Sequence, residues 1–413
     1  MNLAWISVGA LVTAIALSCT TSINVGVLSM ALAWIVGVYL GHLPLNDVIA
    51  GFPTPLFITL IGITLLFAMA NINGTLERVA QRAVKVCRGN AGLIPIMFFV
   101  VALALSTVGP GNIATTALLA PTAMAVGAQA SVPPLLMALM VGNGAQAGAL
   151  SPFAPTGVIV DGIMNRIGLG GAEWQTYLAN MSAHAILTFG AYLLFGGWKL
   201  FQNSRTFAAE PAKEVKPFET AHWATLGIIA LLVVGVAGFN MNVGMTALSG
   251  AAILSLTRLA DEKEAIRKMP WGVILMVSGV TVLIALMEKT EGMEIFTNLL
   301  AQLSTPKTVT GVVAFVTGVV SIYSSTSGVV LPAFLPTVPG LVERLGGVDA
   351  FAVASAMNVG AHLVDMSPLS TVGALCLAAL PAGTDSSDLF NKLMMWGLSM
   401  AVVGSTLCWI MFR

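Results

Sequence analysis

The stretch GPGNIATTALLAPTA, residues 109–123, places a Gly-Pro-Gly-Asn turn inside a strongly apolar region of the chain. Glycine and proline both disfavour a helix interior, so a helix that reaches Gly109 is expected to end there. Irregular backbone at membrane depth is tolerated only where it is buried in protein or lines a cavity. The stretch therefore predicts the tip of a hairpin that enters a membrane and leaves it on the same side.

The composition explains why a membrane is the relevant solvent. Of the 413 residues, 57% are hydrophobic and only 9% are charged, and the mean hydropathy is +0.91. A soluble domain has roughly a quarter of its residues charged. Apolar runs such as the one that begins at Leu3 approach the ~20 residues that span a bilayer as a helix. The sequence therefore predicts an all-α polytopic membrane protein, and its formal net charge of zero gives no sign of a nucleic-acid partner.

The chain contains two related halves. The tripeptide Asn-Val-Gly that begins at Asn24 recurs 218 residues later, at Asn242. The stretch GAQAGALSPFAPTG from Gly144 matches GAHLVDMSPLSTVG from Gly360 at an offset of 216. The hairpin stretch that ends at Thr122 matches SGVVLPAFLPT, which ends at Thr337, at an offset of 215. Several matches at nearly one offset predict an internal duplication.

Each half is predicted to contain five crossings, one re-entrant hairpin and one broken helix. The first half has crossings at about 3–20, 25–41, 54–72, 132–165 (broken) and 175–200, with a hairpin at 92–128; the second has crossings at about 223–239, 244–258, 271–288, 348–379 (broken) and 387–411, with a hairpin at 307–345. Because five is odd, the second half must lie upside down, as in the inverted repeats of secondary transporters. The domains are then 1–202 and 223–413, joined by a polar cytoplasmic linker at 203–222.

The basic residues indicate the orientation of these crossings. Thirteen of the 18 Lys and Arg residues fall on one side of the predicted topology and five on the other. The richer side is expected to be cytoplasmic. We therefore expect a multi-pass protein of a bacterial inner membrane with both termini in the periplasm.

The two hairpin tips and the two helix breaks are expected to meet near the membrane midplane. A helix that begins at a tip presents free N–H groups and about half a positive charge, which bind an anion without Lys or Arg. A single Gly or Pro in a membrane helix more often only kinks or packs it, but matched features in both halves favour a site, and the repeat places Asn112 opposite Ser327. The residues expected to bind the anion are Gly111, Asn112, Ile113, Ala114 and Thr115 at the first tip, Ser151, Pro152 and Thr156 at the first break, Ser325, Thr326, Ser327 and Gly328 at the second tip, and Ser367, Pro368 and Thr371 at the second break.

One acidic residue, Asp365, is predicted at mid-depth, beside the second break and three residues after His362. Ionisable groups inside a membrane are costly and are functional candidates by default. Asp365 is therefore a candidate to carry a coupling proton or to face a cation, and a neutral carboxyl that caps the break is the alternative. His362 matches Gln146 in the repeat, which favours a hydrogen-bonding role for this pair in coupling.

At these residues the chain resembles the ion transporter superfamily, in particular its divalent anion:sodium symporter branch. That branch has a Ser-Asn-Thr signature at each hairpin tip, and here GNIATTALLAP and TSGVVLPAFLP take its place. The chain is more closely similar to MatC-type malonate/dicarboxylate carriers in stretches such as INVGVLSMALAWIVG, NGTLERVA and LMVGNGAQAGALSPFAPTGVIV. The likeness covers nearly the whole chain.

The resemblance implies an elevator-type, homodimeric symporter of a small dicarboxylate such as malonate or a C4 acid, coupled to Na⁺ or H⁺. It implies no cofactor other than Na⁺ as a coupling ion. The sodium ligands carried over by position are Ser106, Asn112 and Gly148 in the first half and Ser324, Ser327 and Val364 in the second. Signature hydroxyls are replaced in this sequence by Gly111 and Ile113, which puts one of the two sodium sites in doubt.

Two other functions fit the sequence less well. A cation/proton antiporter of the same superfamily would want more than one buried carboxylate at the breaks, whereas this chain offers Asp365. A membrane enzyme would need an activated nucleophile, a metal cluster or an acid–base pair, and the sequence contains neither HExxH nor GxSxG. The four cysteines are scattered without metal-ligand spacing. We therefore expect a transporter rather than an enzyme.

Overall fold

The described part of the chain is helical. The computed structural model describes residues 2–21, 23–86, 90–202, 217–381 and 384–413, and no β-strand occurs within those ranges. In the same ranges five helices are long and apolar enough to cross a membrane. A helix satisfies every backbone N–H and C=O internally, which is why these runs fold as helices. The prediction of an all-α polytopic membrane protein is confirmed, while the predicted linker at 203–222 lies largely outside the described residues.

The order of helices in the first half recurs in the second. The first half contains α1 (Leu3–Thr20), α2 (Val25–Trp34, continued by a π-helix at Ile35–Leu40), α3 (Leu45–Ile49), α4 (Thr54–Ile72), α5 (Thr75–Val86), α6 (Leu93–Val108), α7 (Gly111–Gln129), α8 (Pro134–Ala147), α9 (Pro155–Arg166), α10 (Glu173–Leu194) and a 3₁₀-helix at Gly197–Gln202. The second contains α11 (Thr220–Phe239), α12 (Val243–Leu256), α13 (Glu262–Lys268), α14 (Trp271–Lys289), α15 (Gly292–Gln302), α16 (Val309–Tyr323), α17 (Leu331–Phe334), α18 (Val338–Leu345), α19 (Ala350–Leu363), α20 (Thr371–Ala378) and α21 (Ser386–Met411).

The two halves pack on each other reciprocally. Helix α2 meets α14 at Gly26, where a Cβ would lie 2.5 Å from the Cα of Met276. Helix α12 meets α4 at Gly244, where a Cβ would lie 2.5 Å from the Cα of Thr59. Gly26 and Gly244 are repeat equivalents, and so are Thr59 and Met276. The same close approach of two backbones is therefore made twice, and only a residue without a side chain permits it.

The first hairpin turns at a glycine. Helix α6 ends at Val108, and Gly109 follows with a φ of 145°. This conformation is open to glycine and strained for other residues. Helix α7 then begins at Gly111, directly after Pro110, so the first free N–H groups of α7 lie at the tip.

The second hairpin turns differently. Helix α16 ends at Tyr323, and Ser324 and Ser325 continue in extended backbone. The Oγ of Ser325 accepts a hydrogen bond from the N–H of Gly328 at 3.1 Å. The returning limb is not one helix: it runs through a π-helical turn at Thr326–Val330, α17, a 3₁₀ turn at Leu335–Thr337 and α18. Three prolines in this limb, Pro332, Pro336 and Pro339, lack the N–H that a regular helix would use.

Both broken helices use the same device at the break. Between α8 and α9, the Oγ of Ser151 accepts from the N–H of Phe153 at 3.3 Å. Between α19 and α20, the Oγ of Ser367 accepts from the N–H of Leu369, also at 3.3 Å. In each break a glycine six residues after the serine packs against the carbonyl of that serine. The matched Ser-Pro stretches thus end one helix and begin the next in the same way.

Candidate functional site

A chain of hydrogen bonds joins the first hairpin tip to the second helix break. Asn112 Nδ2 donates to Gln146 Oε1 at 2.7 Å, and Gln146 Nε2 donates to Asp365 Oδ2 at 3.0 Å. The other carboxyl oxygen, Asp365 Oδ1, accepts from Thr326 Oγ1 at 2.7 Å. These side chains come from α7, the end of α8, the break after α19 and the second tip. Both tips and both broken helices therefore meet at one carboxyl group.

The members of this chain are buried. The exposed fractions of Asn112, Gln146, Thr326 and Asp365 are 8%, 0%, 6% and 8%. The chemistry of the groups fixes the direction of the bonds, because an amide nitrogen only donates and an ionised carboxylate only accepts. Gln146 can satisfy both neighbours because its amide has a donor end and an acceptor end.

Helix α10 supports Gln146 from behind. Asn180 Nδ2 donates to the main-chain oxygen of Gln146 at 2.8 Å, and Asn180 is fully buried. Gln146 is the penultimate residue of α8, where carbonyls have lost their partners within the helix. The same carbonyl also accepts from the N–H of Ala149 at 3.0 Å, so Asn180 adds a second hydrogen bond to a carbonyl at the helix break.

Hydroxyl groups surround the second oxygen of the carboxyl. Ser321 Oγ lies 3.5 Å from Asp365 Oδ1 and forms a short hydrogen bond with Thr326 Oγ1. Thr326 Oγ1 is also 3.5 Å from the carbonyl of Ala361. In the part of the chain that the structure describes, the ion pairs formed by Lys and Arg do not include Asp365.

His362 lies beside this carboxyl but bonds elsewhere. Its Nδ1 is 2.7 Å from the main-chain oxygen of Asn358, one turn earlier on α19. Its own carbonyl accepts from the N–H of Asp365 at 3.1 Å. His362 therefore shapes the backbone of the break, while Gln146, its repeat equivalent, bonds the carboxyl through its side chain.

Gly111, Pro152, Thr156, Gly328 and Pro368 are also buried, and several of the remaining predicted anion and sodium ligands fall into three groups. Some have hydroxyls that bond the main chain, as Ser151 does to the carbonyl of Thr107 at 2.7 Å. Others have a buried hydroxyl with no hydrogen-bond partner in the structure, namely Thr115 and the predicted sodium ligands Ser106 and Ser324. A third group, Ile113, Ala114 and Thr371, is exposed.

The second tip enters the hydrogen-bond chain through Thr326 and not through Ser327. The constant repeat offset pairs Ser327 with Asn112, but Ser327 is only half-buried. The physical reason is the π-helical turn that begins at Thr326. This turn is wider than an α-helical one, so the side chains that follow the tip point in other directions than in α7.

Sequence reasoning missed Ser321. This residue is 1% exposed and lies in the last turn of α16, before the tip. The sequence contained a sign of its role, because Ser321 is the repeat equivalent of Ser106 at the offset of 215. Ser106 is among the predicted sodium ligands.

A cavity of about 920 Å³ lies between the two halves. Its walls include Thr59 of α4, Thr281 of α14 and Pro152 of the first break. Arg166 and Glu288 also line it and form an ion pair at 3.8 Å between α9 and α14. A second cavity, of about 220 Å³, lies beside the first tip and is lined by Asn71, Pro110, Ala114 and Thr115 among others. Open space therefore adjoins the first break and the first tip.

These features define the class: the chain is a multi-pass membrane protein with the fold of a transporter. Residues 1–149 match the family model of the N-terminus of dicarboxylate carrier protein MatC, which confirms the resemblance for that part of the chain. The crystal structure of the YdaH transporter from Alcanivorax borkumensis, described as having an unusual topology, is similar over 88% of this chain and 86% of that chain, with a TM-score of 0.56 and 17% identity. At this identity the likeness concerns the fold alone. No curated protein matches the chain in sequence.

Proposed function

We propose that this protein is a secondary active transporter of a small dicarboxylate, such as malonate or a C4 acid, coupled to Na⁺ or H⁺. The observation that carries the proposal is the convergence of both hairpin tips and both broken helices on Asp365. The match of residues 1–149 to the dicarboxylate carrier family supports the substrate class. The protein is accordingly a carrier and not an enzyme.

The hairpin tips supply positive potential for an anion. Helix α7 begins at Gly111 with unpaired N–H groups and about half a positive charge. Thr115, one turn further on, has a buried hydroxyl without a partner and can donate to the same anion. At the second tip the N–H groups of Gly328, Val329 and Val330 bond to Ser325. The N–H groups of Thr326 and Ser327 are therefore the ones proposed to face the anion. In this arrangement each tip takes one carboxylate of the substrate.

Alternating access is supported by an asymmetry between the two tips. The first tip packs on α4, where a Cβ at Gly109 would overlap the ring of Phe67. The second tip packs on α14, where a Cβ at Gly328 would overlap the sulfur of Met276. Each tip therefore touches the third long helix of its own half, at a definite height along that helix.

The two tips contact different levels of these helices, because Phe67 of α4 and Met276 of α14 are not repeat equivalents. The equivalent of Phe67 is Ile284, which lies eight residues beyond Met276, or about 12 Å along a helix. If the two halves exchanged conformations, the first tip would move along α4 toward Thr59 and the second tip along α14 toward Ile284. Thr59, the equivalent of Met276, lines the cavity of about 920 Å³, so the first tip has room to reach it. The proposed transport motion is this displacement, of the elevator type.

The topology proposed from the Lys and Arg distribution indicates which transport state these tip contacts represent. It puts Phe67 and Met276 in the cytoplasmic halves of α4 and α14, so both tips are low in the membrane and the structure corresponds to an inward-facing carrier. With the same topology we propose a location in a bacterial inner membrane with both termini in the periplasm. The family resemblance adds a homodimer as the working assembly.

One observation favours a second candidate, a cation/proton antiporter. The centre of the site is a buried carboxyl, Asp365, which accepts hydrogen bonds and has no Lys or Arg ion-pair partner among the described residues. Such a group can bind a cation or a proton without any organic anion. Transport measurements separate the two candidates.

The test is uptake by purified protein in sealed proteoliposomes. Labelled malonate, succinate and acetate are offered under an inward Na⁺ gradient, an inward proton gradient or no gradient, with protein-free liposomes as the control. We expect gradient-driven accumulation of a dicarboxylate and none of acetate. Na⁺/H⁺ exchange that ignores dicarboxylates would favour the antiporter, and the absence of dicarboxylate uptake under every gradient would refute the carrier.

A further inference from the structure

A cavity of about 350 Å³ lies where α16 and α19 begin and α21 ends. None of the residues that line it belongs to the hydrogen-bond chain around Asp365. Ligand sites in proteins have volumes of roughly 300–1,000 Å³. Helix α21 is long and apolar enough to cross a membrane and ends at Met411, so the cavity is expected at the surface of the membrane.

Several hydrogen-bond donors line this cavity. Lys307 and Arg413 contribute an ammonium and a guanidinium group, and in the described part of the chain neither side chain forms an ion pair. Thr310 lies in the first turn of α16, and Ala352 lies in the first turn of α19. The N–H groups of a first turn have no acceptor within their helix and lie at the positive end of its dipole. The cavity therefore favours a negatively charged group.

The side chain of Thr310 is a second indication of a ligand. It lines the cavity and is 4% exposed, and the described residues provide no hydrogen-bond partner for its hydroxyl. Thr317, two turns later in the same helix, donates to the carbonyl of Val313 at 2.8 Å. A polar group that is buried without a partner is unfavourable. The hydroxyl of Thr310 is therefore suited to a ligand that accepts a hydrogen bond.

One acidic side chain, Asp349, lines the same cavity. Its Oδ1 accepts from the N–H of Phe351 at 3.1 Å and so caps α19. A purely anionic ligand would lie beside this carboxylate and be repelled by it. A ligand with both a negative and a positive group matches the whole set of charges, and an ammonium can also donate to the carboxylate.

We propose that this cavity binds the headgroup of a phospholipid that has a phosphate and a primary ammonium group, as in phosphatidylethanolamine. The phosphate accepts from Lys307, Arg413 and the hydroxyl of Thr310, and the ammonium donates to Asp349. The topology that we propose puts this lipid in the periplasmic leaflet. The proposal concerns a bound lipid and is independent of the cargo.

The surroundings favour a membrane lipid over a soluble phosphate compound. Phe412 lines the cavity, and Ile410, on the adjoining turn of α21, is 65% exposed. The indole of Trp409 donates to the main-chain oxygen of Lys307 at 2.6 Å, and the Arg413 guanidinium lies 5.1 Å from the centre of the indole ring. Tryptophan is enriched at membrane surfaces. The acyl chains of the lipid then lie along the exposed apolar surface of α21.

The measurement is thermal unfolding of protein that has been purified in detergent and freed of phospholipid. Short-chain phosphatidylethanolamine, short-chain phosphatidylglycerol and inorganic phosphate are titrated separately, since a ligand of the folded state raises the melting temperature in a saturable way. We expect saturable stabilisation by phosphatidylethanolamine, a weaker response to phosphatidylglycerol and no response to inorganic phosphate at the same concentrations.

Three variants test the assignment of the groups. Lys307→Ala is expected to weaken lipid binding by about tenfold, because a hydrogen bond to a charged group contributes about this much. Thr310→Val removes the hydroxyl, keeps the shape and is expected to weaken binding of both phospholipids. Asp349→Asn keeps a side chain that caps a helix and is expected to remove the preference for phosphatidylethanolamine over phosphatidylglycerol.

Two matched controls are available. Lys263→Ala removes an exposed lysine of α13, and Thr317→Val removes a hydroxyl of α16 that bonds main-chain carbonyls. Both are expected to respond to lipid as the wild type does.

Three results would overturn the proposal. The first is a melting temperature that neither phospholipid changes in a saturable way. The second is a lipid response that Lys307→Ala and Thr310→Val leave equal to that of the two controls. The third is stabilisation by inorganic phosphate as large as that by phosphatidylethanolamine, which would make the cavity a site for a free anion and not for a lipid.

Discussion

Gln146, in the first half of the chain, donates a hydrogen bond to Asp365, in the second half, at 3.0 Å. The two residues are not repeat equivalents, because Gln146 corresponds to His362 and Asp365 corresponds to Ala149. The bond therefore joins the two halves at positions that the internal repeat does not pair, and the site it belongs to is asymmetric. Through Asn112, Gln146 also connects this centre to the first tip.

Gln146→Leu is expected to disconnect the first tip from the carboxyl. It leaves the Asn112 amide and one oxygen of Asp365 buried without their partner, and each such loss costs roughly 1–3 kcal/mol. We expect a lower melting temperature and at least a tenfold loss of dicarboxylate uptake in proteoliposomes. Gln175→Leu, at an exposed position of α10, is the control and should behave as the wild type. Unimpaired uptake by Gln146→Leu would remove the hydrogen-bond chain from the transport site.

The repeat pattern predicted the positions of the tips and helix breaks better than it predicted which side chains form the hydrogen bonds between them. A constant offset found both Ser-Pro breaks, because a serine and a glycine at fixed spacing produce the same local turn in each half. The sequence also placed Asn112 at the first tip and Asp365 beside the second break. Turns of this kind are formed by residues that are close together in the sequence, so the sequence alone can predict them.

The offset failed where the two hairpins fold differently. The first tip turns at Gly109, whereas the second passes through extended serines into a π-helical turn. Because of that difference, Thr326 and not Ser327 has its side chain directed at Asp365. It arises from the packing of the tip on Met276 as well as from the sequence of the turn, so no alignment of the two halves could show it. The bond from Gln146 to Asp365 was invisible for the same reason, since it joins positions that the repeat does not pair.

The geometry of the second tip predicts an order of effects for three substitutions. Asn112→Ala and Thr326→Val each remove a side chain that bonds within the buried chain, and each is expected to reduce uptake at least tenfold. Ser327→Ala, at a half-buried position, is expected to reduce uptake less. The measurement is initial uptake rate at saturating and at low dicarboxylate, with the folded state checked by thermal unfolding. A larger effect of Ser327→Ala than of Thr326→Val would restore the pairing that the repeat offset predicts.

The reciprocal glycine contacts predict a large stability difference between two glycines. Gly244→Val places a side chain against the backbone of Thr59, where a Cβ would lie 2.5 Å from the Cα, and overpacking of this kind costs about 1–3 kcal/mol and in some cases more. Gly227→Ala in α11, where a Cβ would have nothing within 4 Å, is expected to be neutral or to stabilise by up to ~1 kcal/mol. Thermal unfolding in detergent compares the two. Equal melting temperatures would mean that α4 and α12 do not meet as closely as the structure shows.

The proposed displacement predicts a disulfide between residues that are held at different heights in this state. Ile113 is the repeat equivalent of Gly328, and Thr59 is the equivalent of Met276. Since Gly328 packs on Met276 here, Ile113 is expected to reach Thr59 when the two halves exchange conformations. In a protein whose native cysteines have been replaced, Ile113→Cys with Thr59→Cys should therefore cross-link under mild oxidation and lose transport.

Each single cysteine variant must first transport, and reduction of the disulfide should return activity to the double variant. Ile113→Cys with Ile58→Cys is the matched control, because Ile58 neighbours Thr59 on α4 but points to another face, about 100° away on a 3.6-residue helix. We expect little cross-linking in that pair. If the Thr59 pair never cross-links in a protein that transports, the first tip does not move along α4 as far as Thr59, and the exchange of conformations between the halves must take another form.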